Sequence, residues 1–478
     1  MSIDPTGLEP SVTPVEPIDR SARSAGGDGL WAPERRRLTI GLALTITLVA
    51  FESLAIATVM PVVSDDLGGL GLYGWVFSGF FLGNLLGIVT AGQAADTRGT
   101  AFPFAVGLAL FSVGLLAGGL APSMGVLVAA RVAQGIGAGA IPAIAYASVG
   151  RRYPPSLRPR VFAVFSSAWV VPGLIGPAAA SAIEHALSWH YVFLALLPFV
   201  VLAGAITIPV LSRTAPEGAQ AAADAGARRR HSVLLTAAVA AVLAAISGAA
   251  MPVAVVLVAV GVPVAVVSFL RLVPAGTIRL APGMPAAILL RGILTFAFFG
   301  ADAYVSLTFQ DVRGRETWVA GLALTAATIL WTIGAWTQER FVHRVGPRRL
   351  VTIGFTCVAV GIVGMFGALG PLPVAAAVGV WAIAGLGMGL SYSPISVTVL
   401  ALAEVGREGR ASSSLQLTDV LGVALGTGLG GAFVALGDTR DWPTRSALEL
   451  AFAATLAVAV IGIAAARRMP ATLPSETA

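Results

Sequence analysis

Residues 127–146 read LVAARVAQGIGAGAIPAIAY. Nearly every residue is small and apolar, and the run is about as long as the 20 residues a helix needs to cross a bilayer. GxGxG at 135–139 is not a dinucleotide fingerprint. No strand precedes it, and it lies inside the apolar helix. The stretch is therefore a membrane helix built for close packing, with one permanent cation, Arg131, inside it. A cation in that position costs at least about 2.5–3.5 kcal/mol, so it needs both a partner and a use.

The rest of the chain has the same character. Of its 478 residues 56% are hydrophobic and 11% charged, and the mean hydropathy is +0.86. Soluble domains average about 25% charged residues, so a soluble fold of this length is excluded. The apolar runs are uninterrupted, as in spanning helices; barrel strands alternate. All 30 basic residues are Arg and the net charge is +6. In a soluble chain that balance suggests nucleic acid; here it marks membrane sidedness, and no nucleic-acid partner is expected. The Ala-rich, Lys-free composition fits a high-GC bacterial genome, so the expected location is a bacterial plasma membrane. The single cysteine, Cys357, rules out an intrachain disulfide.

Fourteen candidate spans follow, roughly 38–60, 72–94, 102–121, 124–148, 160–183, 190–211, 233–249, 252–271, 286–309, 316–338, 349–369, 373–398, 413–436 and 446–467. With both termini cytoplasmic, 25 arginines fall in tails or cytoplasmic loops, four (Arg313, Arg315, Arg440, Arg445) outside and Arg131 in the membrane. That is the positive-inside bias. Reading 233–271 as one helix would reverse the sidedness of Arg344, Arg348 and Arg349, so two spans are favoured. Residues 1–34 read as a disordered tail. They are followed by a six-helix unit at 38–211, a basic loop with a two-helix insert and linker at 212–285, a second six-helix unit at 286–467 and a short tail at 468–478.

The two six-helix units echo each other. Gly135, Gly137 and Gly139 recur 250 residues later as Gly385, Gly387 and Gly389. At the same offset Arg160 meets Arg410, Gly176 meets Gly426, and Arg131 meets Trp381. Repeated halves with a site between them are the plan of secondary transporters.

On these features the chain resembles the major facilitator superfamily, and within it the fourteen-span drug/proton antiporter branch. GQAADTRG (92–99) resembles the loop motif after the second span, although Thr100 and Ala101 stand where basic residues are usual. LVAARVAQGIGAG (127–139) resembles the span-four motif, VPGLIGPAAAS (171–181) the antiporter motif of span five, and FESLAIATVMP (51–61) the span-one motif, with Glu52 in place of the usual Asp. The resemblance implies an all-α fold of two pseudo-symmetric six-helix bundles plus the insert. It also implies transport by alternating access, with a proton as the coupling ion, no other cofactor, a small-molecule substrate and a monomer in the lipid bilayer.

Four membrane ionisable residues are candidates for proton coupling: Glu52, Arg131, Asp302 and Asp419. Glu52 and Arg131 lie at matching depth, roughly 10–12 Å below the outer boundary at about 1.5 Å per residue, and the resemblance implies that spans one and four both line the central cavity, so an ion pair, direct or through water, is expected. Burial and a neighbouring guanidinium act on a carboxyl in opposite senses. That suits a proton site, and it equally suits a static pair that fixes helix packing. Asp302, flanked by Phe298, Phe299 and Tyr304, reads as a second proton site, a cation anchor or an interfacial residue. Asp419 reads as an interfacial carboxylate held by Gln416 or a loop Arg, or as a coupling residue. Candidates for the substrate cavity are Asn84, Gln134, Tyr146, Trp169, Phe298, Tyr304 and Tyr392. The resemblance assigns a conformational latch to Gly92, Asp96, Arg98 and Gly99, and the antiporter motif to Gly173, Gly176 and Pro177.

The expected function is proton-coupled export of amphipathic or cationic small molecules, as in drug efflux. A lipid, siderophore or metabolite exporter would keep the same fold, and a non-transporting receptor or scaffold is the reading of another class. No nucleotide-binding motif of the type G-x-x-x-x-G-K-[ST] and no metal-ligand spacing appears, so neither an ATP-driven pump nor an enzyme is expected.

Overall fold

The computed structural model describes residues 29–153, 157–212, 222–247, 250–404 and 408–472. The first half is built from α1 (Pro33–Leu67), α2 (Tyr73–Arg98), α3 (Ala101–Gly119), α4 (Met124–Arg152), α5 (Arg158–Ser167), α6 (Val170–Ala186), α7 (His190–Leu194) and α8 (Leu197–Leu211). Two long helices follow, α9 (Ala222–Ile246) and α10 (Met251–Leu272). The second half comprises α11 (Met284–Asp302), the short α12 (Val305–Leu307) with a π-helical turn, α13 (Thr317–Val345), α14 (Pro347–Ala368), α15 (Val374–Ala401), α16 (Glu408–Thr439) and α17 (Thr444–Ala465).

All fourteen expected spans have a helical counterpart. Thirteen are long and apolar enough to cross a bilayer, two of them with an internal turn, at Ala195–Leu196 and at Ala303–Tyr304. The fourteenth, expected at 160–183, is broken into α5 and α6 by a turn at Ala168–Trp169. The segment 233–271 is two helices. Its arginines Arg228, Arg229 and Arg230, expected in a loop, belong to the first turns of α9. Likewise Arg35, Arg36 and Arg37 lie inside α1. The expected tails fall largely outside the described residues.

An even number of crossings puts the start of α1 and the end of α17 on one face, called here the termini face; the opposite face is the far face. Contacts in the second half agree, joining the chain end to the starts of α11 and α14: Gly283 N–H donates to Arg468 O (3.1 Å), and the Arg348 side chain donates through Nε to Met469 O (2.7 Å).

The repeated glycines set the internal geometry of each half. A Cβ on Gly135 or Gly139 would strike the carbonyls of Phe80 and Asn84 on α2, and one on Gly137 the carbonyl of Gly107 on α3. In the second half Gly385 and Gly389 meet the carbonyls of Ala327 and Trp331 on α13, and Gly387 that of Gly354 on α14. The fourth helix of each half is thus clasped by the second and third helices of that half through bare backbone, the small-residue packing that membrane helices use in place of a hydrophobic drive.

The halves meet through α2 against α16 and α6 against α13. The insert covers the first seam: Leu235, Val239 and Leu243 of α9 share a cluster with Leu82 and Leu85 of α2 and Leu417 and Leu421 of α16. At the far face the junction is tight. Gly74 and Gly431 are in backbone contact, Tyr73 Oη donates to Ala303 O (3.3 Å), and Gln310 Nε2 donates to Thr58 O (3.0 Å). Towards the termini face, Tyr146 of α4 is 40% exposed. Asp419 of α16, within electrostatic reach of it, is half-buried. The cleft between the halves therefore opens to the termini face.

Candidate functional site

In the first half the expected pair is a direct contact. Arg131 Nη1 donates to Glu52 Oε1 and to Gln134 Oε1 (2.7 Å), and Arg131 Nε donates to Val76 O (3.2 Å). The guanidinium carbon lies 4.2 Å from the centroid of the Phe80 ring. Three elements make this site: α1 supplies the acid, α4 the base and, one turn on, Gln134, and α2 the carbonyl and the ring. Both charged side chains are sealed, with Arg131 and Glu52 each 2% exposed. Removing one partner of such a pair costs about 3–5 kcal/mol, because the charge left behind has neither water nor counter-ion.

The second half holds the counterpart. Adding the repeat offset to Glu52 gives 52 + 250 = 302, an Asp, and adding it to Arg131 gives 131 + 250 = 381, a Trp. These two also touch: Trp381 Nε1 donates to Asp302 Oδ1 (3.1 Å). Trp381 is fully buried, stacked on Phe298 (5.4 Å between centroids, planes 16° apart). Phe298 in turn meets Trp331 edge-on at 5.7 Å. Asp302 itself is only half-buried. The same position in the repeat thus carries a sealed acid with a cation in one half and a half-buried acid with a neutral donor in the other. The sequence reading set Arg131 beside Trp381 without carrying Glu52 to Asp302. The signal was the offset itself.

A third cluster contains a residue the sequence reading missed. Arg291 lies five residues inside the expected span 286–309, near enough to its end to fall among the arginines expected on the cytoplasmic side. It is 3% exposed. Its Nη2 donates to Ser396 Oγ, its Nε lies 3.5 Å from Asp419 Oδ1, and its guanidinium covers the Tyr392 ring at 3.2 Å. Tyr392 Oη donates to Asp419 Oδ2 (3.1 Å). The partners of Asp419 are therefore Arg291 of α11 and Tyr392 of α15, and not the expected Gln416 or loop Arg.

The expected cavity residues divide. Tyr146 and Trp169 are exposed, and Asn84 and Tyr392 are half-buried. Three do not line open space. Gln134 is fully buried against Arg131, and Phe298 is buried behind Trp381. Tyr304 is buried in the far-face seal, where its hydroxyl donates to Thr427 O (2.5 Å) and its ring lies 5.6 Å from that of Tyr73.

The antiporter motif lies on a seam between the halves. Gly173 faces Thr328 of α13, and a Cβ on Gly321 of α13 would come within 3.2 Å of Pro177 O. Gly176 faces Phe51 and Leu54 of α1. The latch motif is mostly helical, because α2 runs on to Arg98. The chain turns at Gly99, whose φ of 75° favours glycine. Gly92 is half-buried, and Arg98 is exposed with its guanidinium 5.1 Å over Phe102. The side chain of Asp96 lies outside the described residues. Among the described residues no group of three or more His, Cys, Asp or Glu is placed to hold a metal.

Comparisons with known proteins agree with this architecture. The family model for the Major Facilitator Superfamily matches residues 42–427. A probable multidrug-efflux transporter of Mycobacterium tuberculosis is 25% identical over 456 residues, covering 91% of this chain and 95% of that protein. The multidrug resistance protein Stp of the same species is 24% identical over 409 residues, covering 83% of this chain and 75% of its own length. Among solved structures, a bacterial homologue of the human lysosomal transporter Spinster, in an inward-facing and unoccupied conformation, superposes with a TM-score of 0.61 at 15% identity, covering 91% of this chain and 98% of that one. An auto-inhibited peptide transporter of the POT family gives 0.63 at 15% identity, covering 92% and 99%.

Proposed function

The chain belongs to the major facilitator superfamily, and from that premise we propose that it is a proton-coupled exporter of amphipathic or cationic small molecules, working by alternating access in a bacterial plasma membrane with its termini face in the cytoplasm. Its family and its mycobacterial relatives mark it as a transporter. The observation that carries the proposal is the pair of half-buried membrane acids of the second half, Asp302 near the sealed far face and Asp419 nearer the open end. Acids at membrane depth mark proton relays and substrate paths. Towards the open end the exposed Tyr146 offers an aromatic ring of the kind that takes up a flat organic cation. The names of the mycobacterial relatives favour drug efflux over a lipid, siderophore or metabolite cargo.

The test is transport by the purified protein in liposomes. Ethidium and a panel of cationic dyes should accumulate against their gradients when a pH gradient is imposed, and a protonophore should abolish that accumulation. Transport that ignores the pH gradient for every cargo would leave a passive facilitator, and no transport at all would leave a receptor or scaffold.

A further inference from the structure

Resting on the reading of the chain as a proton-coupled exporter, we propose that the proton is carried by Asp302, held in place by the indole of Trp381, and that the Glu52–Arg131 pair is a fixed structural joint that takes no part in the proton cycle.

The argument is one of charge balance. Arg131 keeps its proton under all ordinary conditions. Its partners are Glu52, Gln134, the Val76 carbonyl and the Phe80 face, all away from solvent. With Glu52 ionised the site is neutral. Adding a proton to Glu52 would strand a guanidinium at 2% exposure, so this acid gains nothing by protonation. Asp302 is in the opposite position. Its hydrogen-bond partner among the described residues is the neutral Trp381 N–H. Among the described residues, the titratable groups on the helices packed against α11 are Tyr392 on α15, Asp419 and Asp438 on α16, Arg445 and Glu449 on α17, Arg467 and Arg468 on the turn after it, and Arg348, Arg349 and Cys357 on α14, and none hydrogen-bonds or ion-pairs with Asp302. Arg291, on its own helix, is 11 residues away, about 16 Å along the axis. The proton itself is thus the group that neutralises Asp302. Access points the same way, because Asp302 is half-buried while Glu52 is sealed. Water in the cleft can deliver a proton to its carboxylate and take it back. Trp381, clamped by Phe298, is a positioning residue that fixes the carboxyl through its N–H.

The experiment uses the full chain in liposomes, with pH-driven ethidium accumulation and the infrared band of protonated carboxyl groups as readouts. Asp302→Asn, which still accepts the Trp381 hydrogen bond, should lose at least tenfold of the accumulation ratio and the pH-titrating carboxyl band, while keeping ethidium exchange down its gradient. Asp302→Glu should regain coupling. Trp381→Arg, which copies the first half, should uncouple transport. Trp381→Phe should keep the ring stack and shift the pH profile. The double variant Glu52→Gln/Arg131→Gln should remain gradient-driven at a reduced rate. Coupling retained in Asp302→Asn, or abolished in the folded double variant with exchange intact, overturns the assignment alone. Wild-type transport indifferent to the gradient overturns it together with the reading on which it rests.

Discussion

The two halves of this protein share a backbone plan and differ in one decisive pair. In the first half the acid of α1 meets an arginine from α4; in the second the acid of α11 meets a tryptophan from α15, each acid 79 residues before its partner. The clasp of the fourth helix by the second and third is the same in both. A duplicated scaffold can thus hold two acids at equivalent depth and give them opposite chemistry through the partner alone. A permanent cation turns a buried carboxylate into part of the frame, whereas a neutral donor orients the carboxyl and leaves its charge unanswered. One half of such a transporter can then stay electrically constant while the other changes state.

The comparison can be broken hardest at the first pair. Arg131→Ala should lower stability by about 3–5 kcal/mol, read as a large fall in Tm of the protein in detergent. Removing the acid as well, in Glu52→Gln/Arg131→Gln, should recover most of that loss. At the second pair, Trp381→Phe removes one N–H donor and should cost only about 1 kcal/mol. Equal losses at Arg131 and Trp381 would mean that the pairs are energetically alike.

The shared part of the plan should fail equally in both halves. Gly135→Val and Gly385→Val each drive side-chain carbon into a backbone carbonyl, at Phe80 and Ala327. Each should cost about 1–3 kcal/mol, seen as matching falls in Tm. A marked inequality would show that one half tolerates separation of its helices.

The smallest expected effect lies where the halves touch. Tyr73→Phe removes the hydroxyl that donates across the junction to Ala303 O, worth about 1 kcal/mol. That amounts to roughly a fivefold change in the balance between far-face-closed and far-face-open states. Spin-label distances across the far face should broaden accordingly, with little change in Tm.

Much of the site was legible in the sequence, for reasons that can be named. Arg131 announced itself because a guanidinium in an apolar run must be answered, and counting residues from the span ends placed Glu52 at the same depth. Arg291 was missed because it sits close enough to a span end to pass for a topology marker. Its partners, Tyr392 and Asp419, are 101 and 128 residues away on other helices. Phe298 and Tyr304 looked like cavity residues by type and position, yet an aromatic ring serves equally as wall or as packing. Helix rotation decides between them, and in these weakly amphipathic helices the sequence says little about rotation.

By itself the sequence determined the number of crossings, the duplication and the matching depth of Glu52 and Arg131. These follow from the thickness of the bilayer and the cost of unpaired charge, which act on each segment alone. Only the tertiary structure decided which acid is sealed and which is half-buried, which end of the cleft is closed, and that the indole of Trp381 reaches the carboxyl of Asp302. Exposure and partnership arise from helices far apart in the chain, and no single segment contains them.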